Sequence, residues 1–238
     1  MSSEASQVSG KVFADHRSRV GAERRARMRA CLVESALLVF AEHGLDATII
    51  DKVIKTAGVS RGTFYNHFRT DSDLFVAVAT EVSDEILRVV NLVVLNEPNM
   101  AARVSLGIRY VFQLVTNYPL LAEFMDRGGQ SALRYGKLVN EVVSRDLRLG
   151  MEAGIFSIKE LRLGLDLILG PVLLGFHTIL TEQVSDDYAQ DLAAGILMSL
   201  GVSKPEAEKY CALPLESLKM PADSLFSRAE SRKPQEIQ

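Results

Sequence analysis

The chain has 238 residues, 47% hydrophobic and 24% charged, with a formal net charge of -3 at pH 7. That composition fits a globular protein of one or two domains, and excludes a disordered or collagen-like chain. Cys31 and Cys211 stand alone, which excludes a disulfide framework or cysteine-pair metal site and fits reduced thiols in a cytoplasmic protein. No apolar signal segment opens the polar N-terminus.

Charge is unevenly placed. Residues 11–75 hold 11 basic against 8 acidic side chains, and residues 76–238 hold 16 against 21. Within 17–29, six arginines face one acid, Glu23. An anionic partner is therefore expected at the N-terminal end alone. Residues 1–21 read as a flexible basic arm.

Apolar spacing is helical nearly throughout, without the alternation of strands, so the fold class is all-α. The first helix is expected from about Glu23 to His43, with Met28, Cys31, Leu32, Ala36, Val39 and Phe40 inward and Gly44 ending it. Thr48, with Asp51 three residues on, reads as a capping box opening the second helix. Gly58 makes a turn. Ser60 then caps a short third helix from Arg61 to about Phe68. Thr70 with Asp73 repeats the cap signal and starts a long fourth helix ending before Pro98. Further helices are expected at about 100–117, 120–127, 131–153, 158–182, 186–200 and 204–212. Breaks fall at Pro119 and Gly128–Gly129, and Pro171 predicts a kink inside 158–182. Residues 161–180 are apolar enough to raise the question of a membrane. Arg162 and Asp166 interrupt them, so a buried helix at an interface is the expectation.

Two short helices around a glycine turn, the second capped and polar, make a helix-turn-helix. In that geometry the second helix enters the DNA major groove. Arg pairs with guanine N7 and O6, and Asn with adenine N6 and N7. Hydroxyls and imidazole suit phosphate oxygens. Gly62 permits close backbone approach, while Phe64 and Phe68 face inward.

These residues carry a resemblance. AEHGLDAT (41–48), AGVSRGTFYNHF (57–68) and the following DLF resemble the DNA-binding domain of the TetR family of bacterial transcriptional regulators. The resemblance implies base or groove-floor contacts for Arg61, Gly62, Tyr65 and Asn66. It implies phosphate contacts for Thr48, Ser60, Thr63, Tyr65 and His67. Two positions depart from the family pattern: Ile54 stands where Ala is common, and Asp71 where Lys is usual. The implied domains are a helix-turn-helix unit over 22–70, a helical effector-binding and dimerisation domain over 71–212, and a tail over 213–238.

In the larger domain, Tyr110, Gln113, Asn117, Phe124 and His177 are the candidate effector-binding residues, set among apolar side chains. Small and apolar positions on 158–182 and 186–200 point to a two-fold dimer interface, as the family implies and a palindromic operator requires. His16, His43, His67 and His177 are scattered, no Gly-x-Ser-x-Gly occurs and no glycine loop follows a strand. Catalysis, a metal and a cofactor are not expected. The expected function is a cytoplasmic homodimeric repressor, released from double-stranded operator DNA by a small hydrophobic effector. The alternative keeps the DNA-binding domain and gives the larger domain a protein-docking role.

Overall fold

The computed structural model describes residues 3–44, 48–127 and 136–232, with side chains from residue 19 onward. The described residues contain helices and connections but no strand. The helices are α1 (Ser3–His43), α2 (Ile49–Ala57), α3 (Arg61–Tyr65), α4 (Asp71–Val94), α5 (Met100–Asn117) and α6 (Pro119–Asp126). A π-helical stretch, Val139–Val143, leads into α7 (Ser144–Glu152). Then follow α8 (Leu161–Thr181), α9 (Tyr188–Ser199), α10 (Lys204–Cys211) and α11 (Leu225–Glu230). The expected break at Gly128–Gly129 and the start of the 131–153 helix lie outside the described residues, as do the side chains of Arg17 and His16.

Three expectations need correction. α1 begins at Ser3 rather than near Glu23, so the stretch read as an arm continues the helix. No proline interrupts it, and Arg19 meets Glu23 one turn on at 3.7 Å, a pairing that favours continuation. Thr48 precedes α2 but makes no side-chain capping hydrogen bond, and its backbone (φ -103°, ψ 9°) lies outside the extended region that an N-cap uses. The Asp51 carboxylate, the other half of the expected box, is paired with Arg61. Residues 213–232 do not form a tail: they cross α5 and end in a helix packed on α1, α4 and α6.

The other caps behave as their side chains dictate. Ser60 Oγ accepts from the Thr63 N–H at 3.1 Å and Thr70 Oγ1 from the Asp73 N–H at 3.0 Å. Gly58 adopts φ +64°, a left-handed conformation that glycine takes without a Cβ penalty. α8 runs through Pro171 without ending.

The core is one continuous cluster joining both domains. From Leu32 to Ala41 α1 is buried on every side, since α2, α4, α6 and α11 surround it. Phe75 of α4 bridges Phe40 of α1, edge-on at 5.5 Å, and Phe124 of α6, at 6.3 Å. Aromatic contact thus ties the recognition unit to the larger domain at the root of α4.

Candidate functional site

The helix α3 is held from inside and exposed outside. Phe64 and Phe68 are buried, with ring centroids 6.1 Å apart, as the four-residue spacing predicts. Arg61, Gly62, Tyr65 and Asn66 are exposed on the other side, and Thr63 and His67 are half-buried. Thr48 and Ser60 are exposed too. The Tyr65 ring packs edge-on against Phe64 at 5.3 Å, which fixes the direction of its hydroxyl. α3 itself stops at Tyr65, and Asn66 and His67 form the turn behind it.

Two cations are engaged. Arg61 donates to Asp51 of α2. Arg29 donates to Glu81 of α4 and lies over the Phe68 ring, 5.4 Å from its centroid. Arg29 therefore fastens α1 to the helix-turn-helix and α4, while Arg24, Arg25 and Arg27 remain exposed.

In the larger domain the described residues line a half-open apolar cavity of about 90 Å³ between α4, α5, the π-helical stretch with α7, and α8. Val90, Val104, Ile108, Val111, Val139 and Val172 supply much of its wall. Its polar groups are Asn91, Arg103 and Asp146. Arg103 and Asp146 are buried, with Nη1 3.2 Å from Oδ1, and Arg145 Nε reaches the same oxygen at 2.9 Å. Arg103 also caps the Leu95 and Glu97 carbonyls at the end of α4. A buried ion pair needs such further hydrogen bonds to offset its desolvation. A Cβ added at Gly107 would meet nothing within 4 Å, so this wall has room.

None of the five effector candidates lines that cavity. Tyr110 and Gln113 sit on a different stripe of α5 and hold the backbone of residues 216–218. Gln113 and Asn117 also border a polar surface groove of about 500 Å³. Phe124 is core against Phe75, and His177 is exposed, 3.7 Å from Asp126. Arg103, Gly107 and Val111 share one helical stripe of α5 facing this pocket, but an arginine at that spacing is indistinguishable in the sequence from a solvated one.

The family description "Bacterial regulatory proteins, tetR family" matches residues 32–78, and "Tetracyclin repressor-like, C-terminal domain" matches residues 99–212. The chain belongs to the TetR family of bacterial transcriptional regulators. The fatty acid metabolism regulator protein of Bacillus subtilis (strain 168) is 26% identical over 176 residues, covering 68% of this chain and 87% of the relative. The transcriptional repressor AcnR of Corynebacterium glutamicum is 28% identical over 172 residues, covering 69% and 81%. Among solved structures, RolR in complex with resorcinol superposes with a TM-score of 0.69 at 27% identity, over 83% of this chain and all of that one. As a TetR-family regulator, the protein has a DNA-binding N-terminal domain and a helical C-terminal domain of the kind that in this family dimerises and takes small ligands.

Proposed function

We propose that the protein is a homodimeric repressor that leaves a palindromic operator when a small, mainly hydrophobic molecule enters the cavity between α4, α5, α7 and α8. The observation that carries this reading is the cavity itself, apolar but for Asn91, Arg103 and Asp146. Branched aliphatic walls select an apolar body, and the carboxylate with its guanidinium partners orients one polar group. The space is smaller than the ~150 Å³ of an engineered cavity that admits benzene. In this reading a larger effector enters through the open side and parts the helices. Four wall residues, Leu87, Val90, Asn91 and Val94, belong to α4, and α4 begins five residues after the recognition helix. An effector that binds the parted state better shifts the recognition helices with it. The relatives support the reading: one is named a fatty acid metabolism regulator, one a repressor, and one was solved with resorcinol.

In this reading Arg61 and Asn66 read bases, and Thr48, Ser60, Thr63, Tyr65 and His67 meet phosphates. The dimer forms on the outward face of α8 and α9, where Leu163, Leu174 and Met198 are exposed. α8 is long and apolar enough by composition to cross a membrane, with a third of it buried in the protomer. A second copy is the cover that this face needs.

The docking alternative has one observation of its own, the exposed apolar group Leu92, Val93 and Leu95 at the end of α4. Thermal-shift screening of monocyclic phenols and fatty acyl thioesters, followed by operator release, separates the two. Stabilisation that Asp146→Asn abolishes supports the cavity. No stabilisation by any apolar probe favours docking.

A further inference from the structure

The family matches end at residue 212, yet the next twenty residues are built into the molecule. The Leu213 carbonyl accepts from Arg109 Nη1 at 2.7 Å. The Glu216 carbonyl accepts from Gln113 Nε2 at 3.2 Å, and the Leu218 N–H donates to Gln113 Oε1 at 2.8 Å. The Met220 N–H donates to Tyr118 Oη at 2.7 Å. Side chains on and just after α5 thus clamp an extended segment by its backbone.

The segment then turns into α11, capped by Ser224. The Leu225 N–H donates to Glu85 Oε2 of α4 at 2.6 Å, and Leu225, Phe226 and Ala229 are buried. Arg228 Nε reaches one oxygen of Glu34 at 2.7 Å, and Arg232 Nε reaches the other at 2.5 Å. Glu34 lies on α1, and its side chain is only 4% exposed. A carboxylate this buried requires paired cations. Here the cations come from side chains 194 and 198 positions further along the chain.

One end of the segment is therefore fixed to α5, whose other stripe lines the cavity. The other end is fixed to α1, the scaffold of the recognition unit. We propose that residues 213–232 are an interdomain strap that sets the position of the DNA-binding helices relative to α5, with Glu34, Arg228 and Arg232 as its positioning residues. The strap gives the cavity a second route to the DNA, through α5, beside the one through α4. This rests on the reading that α3 contacts an operator as a dimer.

The test uses the full chain and an operator selected from random DNA, with half-site separation then varied by single base pairs. Arg232→Ala leaves Glu34 its Arg228 partner and so preserves folding. Gln113→Ala with Tyr118→Phe loosens the far end. Both variants should lose about tenfold or more on the operator, keep their affinity for unrelated DNA, and respond less to half-site separation than the parent does. Arg232→Lys should restore the parent profile in part. Without any DNA, amide exchange over α1 residues 35–41 should quicken in both variants. Parent-like spacing profiles together with unchanged exchange would overturn the strap. A parent protein indifferent to sequence and spacing would instead overturn the operator reading, and the exchange arm would still decide the strap.

Discussion

Arg61 on the recognition helix donates to Asp51 on the helix before it. Both side chains are more than half exposed, so the pair adds little to stability, ~0–1 kcal/mol. Its effect falls on DNA instead. It neutralises the only full charge on the 58–68 segment until a competing acceptor arrives. Arg61→Ala and Asn66→Ala should each cost ~1–3 kcal/mol on the selected operator. Asp51→Asn should tighten binding to unrelated DNA and so narrow the ratio between operator and unrelated sequences. Titrations of all three variants on both DNAs check this. An unchanged ratio for Asp51→Asn would show that the pair plays no part in discrimination.

Gly107 offers a direct handle on the cavity. Gly107→Ala should stabilise the protein by ~0.5–1 kcal/mol, since glycine is unfavourable inside a helix and the new Cβ meets nothing within 4 Å. Gly107→Leu should extend into the cavity and leave operator binding intact while removing the response to any effector found by screening. Calorimetry and operator-release assays read the two effects. A fully responsive Leu variant would place the effector elsewhere.

The proposed dimer face is narrower than the small and apolar positions on these helices imply. Gly175 is buried, and a Cβ there would approach Leu192 and Phe112 to 2.7 Å, so an arginine at that site would damage the protomer core first. Leu174, 66% exposed, is the cleaner probe. Leu174→Arg should give a folded monomer with operator binding lost, as sedimentation and circular dichroism would show together. A stable dimer in this variant would move the interface off α8.

Glu85 makes stability depend on pH. Burial pushes its carboxyl above the ordinary glutamate range, against the pull of the Leu225 N–H, Arg228 and Arg88, while Asp223 adds to the rise. The folded state therefore binds its proton more tightly than the unfolded chain does. Between the ordinary glutamate pKa and the raised one, stability falls as pH increases. Glu85→Gln should remove that slope and be at least as stable at neutral pH, because the amide oxygen still accepts from Leu225. Urea midpoints across a pH series, identical in slope for parent and variant, would refute the assignment.

Asp71 is exposed in the first turn of α4, with its carboxylate accepting from the Ser72 N–H at 2.8 Å. Asp71→Lys should cost ~0.3–1 kcal/mol of stability through the helix dipole. It should also tighten binding to operator and unrelated DNA alike, and steepen the salt slope by about 0.9 per subunit if the new amine reaches a phosphate. Affinities over a salt series decide whether this residue borders the DNA.

The helix-turn-helix was legible because each of its signals is local. A cap, a glycine turn and two phenylalanines four apart act within one or two helical turns, and Ser60, Gly58, Phe64 and Phe68 sit as those rules require. Thr48 does not cap because its backbone is not in the extended conformation of an N-cap, which the residue types at 48 and 51 cannot show. Three of the five effector candidates, Tyr110, Gln113 and Asn117, form a polar stripe on α5, and two of them, Tyr110 and Gln113, bond to backbone groups about a hundred positions away. Nothing in the periodicity of residues 213–232 shows that Tyr110, Gln113 and Tyr118 are consumed by them. Arg103 and Asp146, the polar end of the cavity, were obscured for the same reason: a charged residue in a sequence looks solvated until the fold supplies its counter-charge.

The pairing of Glu34 with Arg228 and Arg232 also bears on how the chain comes off the ribosome. The acid is synthesised early, in the helix at the centre of the DNA-binding unit, and its cations emerge nearly two hundred residues later. Until then the nascent unit must keep that carboxylate wet or protonated, so its core cannot close completely. A chain interrupted before α11 would carry an intact recognition motif on an unfinished support. Such a fragment should be a poor competitor for the operator and a ready substrate for proteolysis.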